Sequence, residues 1–312
     1  MLARGMDQRP LHGEDFVETG AKKCPRFAMT IDVEEWFTGV ADAPDKVHRF
    51  DSRLHVGMRR VLDLLDETST RATFFFLGYL AEQQPQWVAE VARRGHEIGC
   101  HGLYHRPLWD MTPREFMADV SRARMALLDA GAPRVDGFRA PLFSIRADTF
   151  WAEAALEDLG FRYSSSVFPI RNPRYGFPQA PRFPFLTTRS GRFVEFPIST
   201  LAAGGVRLPF SGGFYLRALP ARLVEIAFAE LRARHSPGVC YVHPWELDPE
   251  QPLLPVTPLT RARRRIGLAT TRSKLEALLR AFDFAPMADV LNTVLARPLQ
   301  RWGLARPAHR ET

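Results

Sequence analysis

The sequence predicts an α/β fold whose mainly parallel sheet closes, or nearly closes, into a barrel. Two observations carry that expectation. Strand, helix, strand units repeat over about 220 residues, a length that suits a (β/α) barrel. With 312 residues, 46% of them hydrophobic and 11% aromatic, the chain can also bury a full core.

Taken in order, "RFAMTID" from Arg26 reads as a strand, and Leu54, Met58, Val61, Leu62 and Leu65 then recur at helical spacing, predicting an amphipathic helix over residues 52–67. "ATFFFLG" is a buried strand. The next helix carries Trp87, Val88 and Val91 and stops at "RRG", where Gly95 can take the left-handed cap conformation before the strand "HEIGC". Residues 112–131 show both helix ends: Thr112 as N-cap, Pro113 in the first turn, Glu115 reaching back in a capping box, and Gly131 at the far end. "DGFRA" is a fourth strand, and a helix over residues 147–159 ends at Gly160 before "FRYSS". Residues 168–192, rich in proline and arginine, interrupt the rhythm as an insertion or active-site rim. After them come a strand in "RFVEFPIS", a helix in "LPARLVEIAFAELRARH" beginning at Pro220, and a buried strand in "GVCYVHPW".

Composition narrows the function classes. The longest apolar segment, "ATFFFLGYLA", falls well short of the roughly 20 residues that span a bilayer. The N-terminus lacks the apolar run of about 7 to 15 residues that an export signal needs, so residues 1–25 are expected as a flexible leader and the cytoplasm as the compartment. Cys24, Cys100 and Cys240 show no Cys-x-x-Cys spacing, and Cys100 and Cys240 read as small core residues. The net charge of +7, with "RARRR" at residues 261–265, suits anionic partners such as phospholipid head groups or lipid-linked pyrophosphates, a solvated arginine face being the plainer account. Nucleic-acid binding would rest on that run alone and is not expected.

In such barrels chemistry sits at the carboxyl ends of strands. "HGLYH" follows the third strand directly. If it forms one helical turn, His101 and His105 point to the same side, as metal ligands or as ordinary hydrogen-bonded histidines. Gly102 in the second position distinguishes the pair from the H-E-x-x-H of zinc proteases. In "TIDVEEWF" the alternation of side chains along a strand puts Asp32 and Glu34 on one face and Glu35 on the other. One carboxylate can complete a two-histidine, one-carboxylate cation site while the other takes a proton; otherwise "DVEE" opens a solvated loop. Arg139, in "FRAPLFS", can orient a carboxylate with its planar fork or make a structural ion pair. His243, in "YVHPWE", can donate a proton near neutral pH or pack in the core. Trp36, Tyr104, Trp245 and the "SGGFY" loop can receive sugar rings, or the aromatics can pack inward. Four strand ends each bearing a suitable group converge on one pocket.

At these residues the chain resembles the polysaccharide deacetylase (NodB-homology) family, carbohydrate esterase family 4. "TIDVEE", "HGLYH", "FRAPLF", "LGFRYSSSVFP" and "YVHPWE" stand in the family's order within residues 26–250. "DVEEWF", "SGGFYLRALP" and "HPWELDPEQP" are similar to the subfamily found with exopolysaccharide and exosortase gene clusters, which carries an extra C-terminal segment; residues 251–312 are then a basic, partly helical extension. The resemblance implies a distorted (β/α) barrel with fewer than eight regular strands, acting on the N-acetyl groups of amino sugars in a polysaccharide or lipid-linked glycan precursor. It implies Asp32 as general base, Arg139 as the clamp on it and His243 as general acid. Glu34, His101 and His105 would hold a divalent cation, zinc first and cobalt or another ion as the alternative, and Leu142 would offer a backbone N–H to the oxyanion.

Two departures from the family pattern bear on this. Val33 stands beside Asp32 where two adjacent aspartates are common, which passes the ligand role to Glu34, with Glu35 the alternative if the strand ends early. Ser164 occupies the place of an aspartate that helps set the state of the catalytic histidine, and Glu246 is the candidate to compensate. Rival readings are a metal-independent amidohydrolase of the allantoinase-like branch and a non-catalytic glycan- or lipid-carrier-binding relative. The protein would work in the cytoplasm, at most peripheral to the inner face of the membrane.

Overall fold

The computed structural model describes residues 26–40, 49–172, 174–188 and 190–302. The leader expected over residues 1–25 and residues 303–312 of the expected extension lie outside the described residues. Strand β1 (Phe27–Val33) is buried along its whole length. Helix α1 (Leu54–Glu67) turns Leu54, Met58, Val61, Leu62 and Leu65 to the core, the residues whose spacing predicts it. Strand β2 (Thr73–Phe76) takes only the first half of the long apolar segment; the rest becomes helix α2 (Gly78–Gln83), followed by α3 (Pro85–Arg93) and strand β3 (Glu97–Cys100).

Helix α4 (Pro113–Asp129) starts on the expected capping box, with Thr112 and Glu115 each accepting the other's backbone N–H. Strand β4 (Gly137–Phe138) is two residues long, and helix α5 (Ala152–Asp158) starts later than its periodicity suggests, because residues 147–151 form turns. Strand β5 (Tyr163–Ser164) leads into the proline-rich rim, where β6 (Phe185–Leu186) is the one strand among the described residues, and then to β7 (Val194–Glu195). An unanticipated antiparallel hairpin, β8 (Thr200–Ala203) with β9 (Val206–Pro209), precedes α6 (Gly213–Ala218), α7 (Ala221–Ala233) and β10 (Val239–Val242). The chain ends with α8 (Pro258–Arg265), α9 (Leu268–Ala281), β11 (Phe284–Ala285), α10 (Met287–Leu295) and β12 (Gln300–Arg301).

The sheet runs β10-β1-β2-β3-β4-β5-β7-β6-β12, with the first seven strands parallel and β6 antiparallel to β7. It curls into a half-barrel, the distorted form expected. Residues 251–302 contribute two strands to it, β11 and β12. Strand β11 pairs with β1 at Phe27 and Ala28, and Phe282 and Phe284 pack edge-on or tilted against Phe27.

Register positions the chemistry. Val33, Phe76, Cys100 and Phe138 lie level across β1 to β4, Phe138 is level with Ser164, and Ile31 is level with Val242. The residues that come next, Glu34, His101, Arg139, Ser165 and His243, therefore leave the sheet at one rim. Gly57 of α1 admits the turn after His243: a Cβ there would stand 2.4 Å from the Pro244 carbonyl oxygen. Cys100 and Cys240 are free and buried as expected, and burial pushes the Cys100 thiol up to about 12. No helix among the described residues is long and apolar enough to cross a membrane.

Candidate active site

Glu34, His101 and His105 meet at that rim, all buried. Glu34 Oε1 lies 3.1 Å from His101 Nε2 and 3.0 Å from His105 Nε2. The two imidazoles do not share a helical turn. "HGLYH" is a bent loop in which Gly102 has φ +77° and His105 φ +59°, and this left-handed path, rather than helical periodicity, folds the second ring back to the first.

The donor set fits a cation. The Arg139 carbonyl can only accept, so at 2.8 Å His101 Nδ1 must carry a proton, which leaves Nε2 facing Glu34 Oε1, able to donate to it with a second proton or to share a cation with it. A cation and a second ring proton are alternatives at that contact, because two facing lone pairs would repel. Donors held about 2.1 Å from a tetrahedral ion are about 3.4 Å apart, close to the separations here. Burial would raise the Glu34 carboxyl, but His105, His243 and the histidine hydrogen bonds together hold it well below the usual carboxylate range. Glu35 takes no part. It accepts from the Ser52 hydroxyl and, at 3.2 Å, from the Arg53 N–H ahead of α1, although the strand ends at Val33.

Asp32 sits behind this set, with Oδ1 2.7 Å from Arg139 Nη1. The guanidinium does not clamp the carboxylate with both arms. Nη1 also donates to Thr30 Oγ1 at 2.7 Å, while Nε and Nη2 go to the Ser165 carbonyl and hydroxyl at 3.0 and 2.8 Å. The cation lies 4.4 Å over the Phe75 ring and is fully buried, so Asp32 is oriented by a group that is itself immobile.

His243 approaches from β10, Nε2 3.9 Å from Glu34 Oε1 and Nδ1 3.0 Å from Glu246 Oε2. Burial opposes its protonation, but Glu34, Glu246 and Asp32 outweigh that and raise it to about 9. A histidine whose pKa rises on folding stabilises the fold fully below its unfolded value of 6.5 and ceases to do so as pH rises through 9. The metal-free protein is thus expected to lose up to about 3 kcal/mol of stability between about pH 6.5 and 9. Thermal unfolding across that window checks this; a flat Tm would mean that the imidazolium is not stabilised by these carboxylates.

The remaining expected residues divide. Trp36 is 4% exposed, its ring packed on Phe37 and Phe50 and its N–H donated to the Asp51 carbonyl, so it builds the rim and offers no face to a sugar. Trp245 likewise turns inward: the His243 ring stacks on it at 5.3 Å, and Arg217 and Arg264 lie over it at 5.2 and 4.6 Å. Tyr104 is half-buried against Tyr79 and keeps accessible surface. Leu142 is 37% exposed, and its φ of +55° turns the chain sharply beside Arg139. Ser164 is buried with its hydroxyl donated to Ser166.

Several supporting residues escape sequence reasoning. Ser165 holds Arg139, and Ser166 accepts from the Ala140 N–H. Glu195 accepts from the Ser166 and Val167 N–H groups, with Glu153 beside it; burial first, then the Glu195 charge, pushes the Glu153 carboxyl far up. The three consecutive serines and an acid inside the apolar "RFVEFPIS" were the available signals.

A family model described as Polysaccharide deacetylase matches residues 44–164, and one described as Domain of unknown function (DUF3473) matches residues 165–292. YheN of Bacillus subtilis, whose name assigns it to polysaccharide deacetylation, is 30% identical over 132 residues, covering 40% of this chain and 47% of YheN. The chain spans about half or less of the length of the curated relatives it matches. A Mycobacterium smegmatis structure described as a polysaccharide deacetylase superposes with a TM-score of 0.65 at 22% identity, over 93% of this chain and 97% of that one. The allantoinase Puue superposes with a TM-score of 0.59 at 14% identity, over 88% and 94%. These two likenesses concern the fold.

Proposed function

Because this chain carries a polysaccharide deacetylase domain of the NodB-homology family, we propose that it is a divalent-cation-dependent hydrolase that removes N-acetyl groups from amino sugars of a polysaccharide or a lipid-linked glycan precursor. What supports this most is the Glu34 oxygen shared at 3.0 and 3.1 Å by two histidines, with Asp32 held alongside by Arg139. Glu34, His101 and His105 are the residues that would hold the ion, zinc by the chemistry of its donors, with cobalt a second candidate. When bound, such an ion polarises the amide carbonyl and lowers the pKa of water at the site.

The chain's own residues do the rest. Asp32, oriented by Arg139, takes a proton from the attacking water. The Leu142 main-chain N–H donates to the oxygen that gains charge as the carbonyl becomes tetrahedral. His243 passes its Nε2 proton to the amine nitrogen as the C–N bond breaks, leaving acetate and a free amino sugar. Tyr104, beside the ligand histidines, contributes a ring face for the sugar. Acetate release from a panel of N-acetylated glycans, with and without zinc or cobalt, tests the assignment. Turnover that survives complete removal of metal would favour the allantoinase-like alternative.

A lipid-linked substrate would bring the enzyme to an anionic membrane surface. Helix α8 carries Arg261, Arg263, Arg264 and Arg265 without an acidic residue, and Leu253, Leu259 and Ile266 are exposed around it. The protein is expected to sediment with phosphatidylglycerol vesicles and to be released by about 0.5 M salt, where screening is strong. Arg263→Glu with Arg265→Glu should weaken that binding more than tenfold. Equal binding to phosphatidylcholine vesicles would remove the membrane from the reading.

A further inference from the structure

His243 is held from behind by a chain of buried groups that runs to the C-terminal segment. Glu246 is fully buried three residues beyond it, and Glu246 Oε2 accepts both the His243 backbone N–H and, at 3.0 Å, Nδ1. The other carboxylate oxygen takes Arg217 Nε at 2.6 Å. Arg217 is itself 4% exposed, and its Nη1 donates to the carbonyls of Arg263, Arg264 and Ile266 at the end of α8. Paired with Arg217 through Oε1, Glu246 is an ionised carboxylate that only accepts at Oε2, so Nδ1 must carry the hydrogen in that contact and Nε2 is the nitrogen turned to the cleft. The Trp245 ring stacks on one face of the imidazole, with ring centroids 5.3 Å apart.

Resting on the deacetylase reading, we propose that Glu246 and Arg217 are positioning residues for the general acid His243, doing from the β10 side what Ser164 cannot do by charge from the β5 side. The pair keeps a hydrogen on Nδ1 and aims Nε2 at the leaving nitrogen, so that the imidazolium gives its Nε2 proton to the amine in the step that breaks the C–N bond and is left as the Nδ1–H tautomer. Arg217 couples this to α8, which makes the seating of that helix part of the catalytic geometry.

The test compares two leaving groups in zinc-loaded protein. An N-acetylated sugar expels an amine that must be protonated, whereas 4-nitrophenyl acetate expels a phenolate that needs no proton. Glu246→Gln should lower kcat for the amide by about 10- to 100-fold with little change in KM, and lower ester turnover less than about threefold. Since that variant leaves Arg217 buried without its counter-charge, Glu246→Gln is also made together with Arg217→Gln, and ester turnover reports that each protein is folded. Amide and ester rates that fall in parallel, or do not fall, overturn the proposal. In wild-type protein labelled with 15N-histidine, a protonated Nδ1 on His243 is expected and an unprotonated one overturns it. If wild-type protein releases acetate from neither compound, the deacetylase reading fails, and the Nδ1 proton decides the positioning on its own.

Discussion

Asp32→Asn should lower kcat for acetate release about a thousandfold, with KM and metal content unchanged. The size follows from general-base catalysis, commonly about 10²–10⁴ in rate, applied to a residue with no evident substitute. Glu34 is engaged by the two histidines, and Glu35 is tied to Ser52 and Arg53 away from the cleft. Asparagine keeps the shape and can still accept from Arg139 Nη1, but it cannot take a proton. The cost falls on the buried guanidinium, which loses its counter-charge while retaining Thr30 and Ser165. A stability loss of about 3 kcal/mol is expected, visible as a lower Tm. A variant within threefold of wild-type kcat would remove Asp32 from the base role.

His105→Gly should abolish stoichiometric zinc binding and reduce turnover by at least about a thousandfold, because two donors remain where three are needed. Glycine is the informative replacement. His105 sits at φ +59°, a conformation costing a non-glycine residue of order 1 kcal/mol and glycine almost nothing, so the loop keeps its path while the ligand is lost. Metal analysis after dialysis against zinc, alongside kinetics, separates the possibilities. Full zinc occupancy in His105→Gly would show that the ion is held elsewhere. Activity that persists with only KM raised would mean that the histidine binds substrate.

Much of the site was legible because its residues follow strands. Period-two alternation in "TIDVEE" selects Asp32 and Glu34 over Glu35, and parallel register brings the strand ends level without any knowledge of loops. The aromatics were less legible. Trp36 and Trp245 stand next to site residues in sequence, yet the first packs on Phe37 and Phe50 and the second lies under His243, since a large ring near a cleft gains most from burial. Element lengths were overestimated at β4 and α5, where turns take residues whose local pattern suits strand or helix.

Left to itself, the chain determined which groups stand at the strand ends and that they face one rim, because alternation and helical period are properties of neighbouring residues. Tertiary structure alone decided how they meet: the left-handed loop that returns His105 to His101, Ser165 just after β5, which holds Arg139, and Arg217, which reaches Glu246 across 29 residues. Those contacts join segments remote in sequence. Their geometry depends on how the sheet curls and how the final helices seat against it, which no local pattern encodes.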